Sequence, residues 1–70
     1  MADAESKLRE TATDIIEDIG ALRAVEIERR SLDPGDPAIP ALADKAVEIA
    51  SRVIPKTRRE RSLAEEVSGQ

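Results

Sequence analysis

Between positions 39 and 54 apolar residues return at alternating steps of three and four. Ile39, Leu42, Ala46, Ile49 and Val53 form one row, and Ala43, Val47, Ala50 and Ile54 form a second beside it. At about 100° per residue the two rows cover an arc of roughly 160°. Asp44, Lys45, Glu48, Ser51 and Arg52 occupy the opposite side. The pattern predicts an amphipathic helix over 38–54 whose apolar face is broad enough to need more than one neighbour.

Upstream, 3–31 contains no proline and one glycine, and good helix formers dominate it. Leu8, Ala12, Ile15, Ile19 and Leu22 recur as an a/d seam, widened on one side by Ile16. Asp3 and Glu5 near its start and Arg29 and Arg30 near its end suit the helix dipole. A first helix over about 3–31 follows. Two residues disturb it. Gly20 costs about 1 kcal/mol relative to Ala, unless with Ala24 it lets another helix approach closely. Glu26 falls at the centre of the apolar face. It either pairs on the surface with Arg23, Arg29 or Arg30, or fixes register as a buried carboxylate. Surface pairing is the commoner fate of a glutamate.

Between the helices Asp33, Pro34 and Gly35 are turn chemistry, with Gly35 expected to supply a positive φ. Asp36 reads as an N-cap with Pro37 at the first helical position. So short a connection makes the two helices antiparallel neighbours. Pro55 is expected to end or kink the second helix. Thr57 and Glu60 then match a capping box opening a third helix over about 58–67, with Leu63, Ala64 and Val67 as its apolar patch. Ser68, Gly69 and Gln70 read as a frayed end. The expected organisation is therefore all-α: a helical hairpin over 1–55, then a short C-terminal helix and tail over 56–70.

Charge suggests where that tail lies. Residues 1–19 carry two basic and six acidic side chains, net −4, and residues 55–62 carry four basic and one acidic, net +3. A hairpin returns the basic segment to the acidic one. The tail is thus expected to lie along the first half of helix one, in its own chain or a partner's.

Composition changes the picture at one point. The chain has 70 residues, with no Cys, His, Phe, Tyr or Trp. A core must come from Leu, Ile, Val, Ala and Met1, without aromatic side chains, disulfides or the usual zinc ligands. Chains this small often complete their cores by oligomerising. The expectation is a homo-oligomer, a dimer first, forming a four-helix-type bundle by self-association. Its interface would use Leu8, Ile15, Ile16, Ile19 and Leu22 with Ile39, Leu42, Ala46, Ile49, Val53 and Ile54.

Candidate chemistry is sparse. Without His or Cys the commonest general base and the thiol nucleophile are missing. Glu10, Asp14, Glu17 and Asp18 form a carboxylate row that reads as a solvated acidic face rather than a metal site. The glycines build no phosphate-binding loop. No enzyme activity and no cofactor are expected. Net charge is −4, the N-terminus lacks an apolar signal region, and no run approaches the length of a membrane span. A cytoplasmic protein is expected, without membrane contact.

Function is expected to be that of a non-enzymatic interaction module, an adaptor, regulator or accessory subunit. Arg58, Arg59, Arg61, Leu63 and Val67 are its candidate residues for docking a protein partner. A second class uses the basic 56–61 segment in a nucleic-acid-associated regulator. The acidic balance and the missing stacking aromatics weigh against it. A third is a structural subunit of a larger self-assembly.

Overall fold

A computed structural model of the chain describes residues 2–69. Met1, named above as a core candidate, and Gln70, in the expected frayed end, lie outside the described residues. Two helices, α1 (Ala2–Ser31) and α2 (Ala38–Ser68), pack side by side as an antiparallel hairpin. The rod measures 54 × 14 × 13 Å.

Residues 32–37 make the connection. The Asp36 N–H donates to the Asp33 carbonyl at 2.9 Å, closing a turn around Pro34 and Gly35. Gly35 does not supply the positive φ expected of it. The turn is one that Pro34 followed by an ordinary residue can make. Asp36 acts as the cap: its Oδ1 accepts from the Ala38 N–H at 2.8 Å and its carbonyl from the Ile39 N–H at 3.1 Å. Pro37 already has helical angles, φ −65° and ψ −14°. Pro40 lies in the first turn, where an N–H has no intrahelical acceptor to lose.

α2 does not stop at Pro55. It runs 31 residues with Pro55 inside it, so the separate third helix expected over 58–67 is instead the second half of α2. A proline breaks one backbone hydrogen bond and crowds a carbonyl, yet tertiary packing can outweigh that cost. Here Pro55 is exposed, while Val53, Lys56, Leu63 and Val67 are held against α1 on either side of it. Thr57 is no cap either. Its hydroxyl donates to the Ile54 carbonyl at 2.8 Å from within the helix. The helix closes at Gly69, whose N–H reaches the Glu65 carbonyl at 2.9 Å.

The seam between the helices is a heptad pattern on both. On α1 it runs through Ala4, Leu8, Thr11, Ile15, Asp18, Leu22 and Val25. On α2 it runs through Ile39, Leu42, Ala46, Ile49, Val53, Lys56, Glu60, Leu63 and Val67. All are buried or half-buried. The α1 seam thus keeps Leu8, Ile15 and Leu22 of the expected one, with Thr11 and Asp18 in place of Ala12 and Ile19. The cause is on α2: its seam must pass Lys56, and a lysine turned inward needs a carboxylate. Asp18 supplies it and Ile19 could not. Ile49, 2% exposed, is the most enclosed of the core side chains.

Candidate interaction face

Near its middle the hairpin holds an inward-facing charged layer. Lys56 Nζ donates to Asp18 Oδ2 at 2.7 Å, and Arg52 Nη2 approaches Oδ1 at 3.5 Å. The basic half of α2 therefore returns to the acidic half of α1. The Lys56 hydrogen bond holds the Asp18 carboxyl below its ordinary range. Desolvation opposes that shift, and the charges of Lys56 and Arg52 add to it. Thr11, also turned inward, is satisfied within its own helix, its hydroxyl donating to the Lys7 carbonyl at 2.8 Å. No buried side-chain nitrogen or oxygen among the described residues lacks a hydrogen-bond partner.

Glu26 takes the surface route. It accepts from Nε and Nη2 of Arg29, and that hydrogen bond is the main reason the guanidinium is held above its ordinary value. With Arg23, Ile27 and Arg30 the pair borders a shallow hollow near the end of α1. All its walls belong to one helix.

The heptad positions decide which other residues share a side. In an antiparallel pair the e positions of the two helices flank the seam together, and so do the g positions. On the e side the middle of α1 presents Ala12, Ile16 and Ile19, flanked by Glu5 and Arg9 toward its start and by Arg23 and Glu26 toward its end, and α2 presents Ala43, Val47, Ala50 and Ile54. Ile16 is 71% exposed, Val47 65%, Ile54 54% and Ile19 49%. The g side carries Lys7, Asp14 and Glu28 from α1 and Lys45, Arg52, Arg59 and Glu66 from α2. The hairpin thus has two unlike broad sides, one aliphatic and one charged.

This geometry sorts the residues singled out from the sequence. Leu8, Ile15, Leu22, Ile39, Leu42, Ala46, Ile49 and Val53 lie in the seam within one chain. Ile16, Ile19 and Ile54 lie outside it on the aliphatic side. Of the C-terminal candidates, Leu63 and Val67 turn toward α1, while Arg58, Arg59 and Arg61 are exposed. Arg61 Nε donates to Glu65 at 3.3 Å. Val47, not among the residues named above for self-association, is exposed on the same side, and its place beside Ala43, Ala50 and Ile54 is visible in the sequence. Gly20 is open to solvent, and a Cβ there would meet nothing within 4 Å.

Among the described residues no cluster of carboxylates is arranged to hold a metal ion, and no helix is long and apolar enough to cross a membrane. What the arrangement offers is a surface. Comparison with protein-family models, curated proteins and solved structures finds no match to this chain.

Proposed function

We propose that this protein is a non-enzymatic helical interaction module, an adaptor, regulator or accessory subunit that works through the aliphatic side of its hairpin. One observation carries the reading: Ile16, Ile19, Val47 and Ile54 stand exposed on one side of a hairpin whose other side is charged. Large aliphatic side chains scattered singly on a surface need no explanation. Four gathered on one side of a rod, with Ala43 and Ala50 beside them, favour a contact site. The chain also contains no His and no Cys, which withholds the groups that most small enzymes use.

The reading through nucleic acid draws less support. Of the basic cluster, Lys56 is engaged with Asp18 and Arg61 with Glu65, and no aromatic side chain is available for stacking on bases.

The test is retention from native lysate on three immobilised full-length chains: wild type, an Ile16→Glu/Val47→Glu double variant, and Arg59→Glu on the charged side. The expected result is a specific set of proteins, this chain among them or not, held by wild type and Arg59→Glu and lost by the double variant. Loss with Arg59→Glu alone would move the function to the charged side. Nuclease-sensitive retention by all three would transfer the reading to nucleic acid.

A further inference from the structure

We infer that the aliphatic side is covered by a second copy of this chain, joining two hairpins into a four-helix bundle. The inference rests on the function proposed above and names the occupant of the same surface. Three observations converge on it.

The first is area. A compact protein of this mass exposes about 4300 Å², whereas this chain exposes 5321 Å². The surplus of about 1000 Å² matches the roughly 800 Å² per partner that a stable two-fold dimer buries. The shape tells the same story. A compact chain of this length has a radius of gyration near 11 Å, against 16.1 Å here. Two rods laid side by side come closer to compactness, since a compact assembly of twice the length has a radius of gyration of about 14 Å. A short peptide on the patch would bring less of that change.

The second is the core. Among the described residues no side chain is fully enclosed, and the buried apolar residues are Ala4, Val25, Ile49 and Leu63. Two helices cannot surround a layer of side chains, whereas four can. A second hairpin would cover both Ile16 and Ile19 of α1 and Val47 and Ile54 of α2.

The third is charge around the patch. Arg9, Arg23 and Arg58 border it together with Glu5, Glu26 and Asp44. A rim of both signs suits a surface that meets its own copy, where each charge can find its opposite. An anionic bilayer would instead confront three carboxylates there.

Sedimentation velocity on the purified full-length chain across a hundredfold concentration range tests this. The expected species has twice the 7.6 kDa chain mass. The Ile16→Glu/Val47→Glu variant should associate at least 100-fold more weakly, and Arg59→Glu should leave the mass unchanged. A wild-type chain that stays monomeric at 100 μM overturns the inference whether or not the variant folds. If such a monomer still retains lysate proteins through the aliphatic side, the interaction module stands and the second copy falls. Flotation of that monomer with lipid vesicles would assign the patch to a membrane surface instead. A dimer broken by Arg59→Glu and kept by the double variant would place the contact on the wrong side.

Discussion

Asp18 shows how one polar residue can outrank an apolar neighbour. Hydrophobicity alone would turn Ile19 inward, and the seam read from the sequence does so. Yet the seam of α2 must pass Lys56, and a carboxylate opposite it satisfies both groups at 2.7 Å. Layers of this kind often contribute more to register than to stability, since each charge must first be desolvated. The depressed ionisation of Asp18 gives the layer a pH signature. Its carboxyl titrates in the folded chain below its ordinary value of 3.8. The stabilisation is therefore fully present above that unfolded value and is lost as pH falls through the lower folded one. Urea unfolding of wild type and Asp18→Asn at pH 7 and pH 3 should show the difference between them shrinking in acid. A difference that stays constant across that range would mean the charge on Asp18 contributes nothing.

The two helices and their antiparallel order are legible chiefly from residues 8–22 and 39–54, because the steps of three and four are uninterrupted there. Asp36 as a cap and the Glu26–Arg29 pair are legible for the same reason: both are local chemistry. The far half of α2 was not, and the cause is Pro55. Local rules make an interior proline a stop, and only the packing of Lys56, Leu63 and Val67 on α1 reveals that the helix carries through. The split between seam and aliphatic side was half-legible. Both rows of 39–54 are visible in the sequence, but which row faces α1 depends on the shift from Ile19 to Asp18. Because Pro55 is tolerated rather than required, Pro55→Ala should stabilise the chain. Proline in a helix interior costs about 3 kcal/mol relative to alanine. Loosening the unfolded chain returns roughly 0.4–1 kcal/mol of that. A net gain of roughly 2–2.6 kcal/mol in the urea unfolding free energy is expected. A loss would mean that α2 needs a bend at Pro55 to follow α1.

At the scale of the whole molecule the question is what keeps two long helices in one register. Two devices are present. One is the connection, six residues closed by the Asp33–Asp36 turn and the Asp36 cap. The other is the layer of Asp18, Lys56 and Arg52, which lies toward the middle of the rod. Aliphatic heptads are forgiving of a slip by one heptad, since Leu, Ile, Val and Ala replace one another along both seams. A slip by one heptad would leave Lys56 opposite Thr11 or Val25, neither of them a carboxylate, and Asp18 without its cation, and both losses oppose it. The charged layer is therefore expected to hold the register, with the loop only shortening the search. Loop length should then matter little. Inserting six Gly/Ser residues after Leu32 keeps the turn and cap intact while doubling the connection. It should cost only about 0.6 kcal/mol, the closure entropy of a twofold longer loop. The same insertion made in a chain carrying Asp18→Leu removes both restraints, and backbone amide spectra should then show more than one set of signals. A penalty of several kcal/mol for the insertion alone would reverse the assignment, making the short turn the element that sets how α1 and α2 meet.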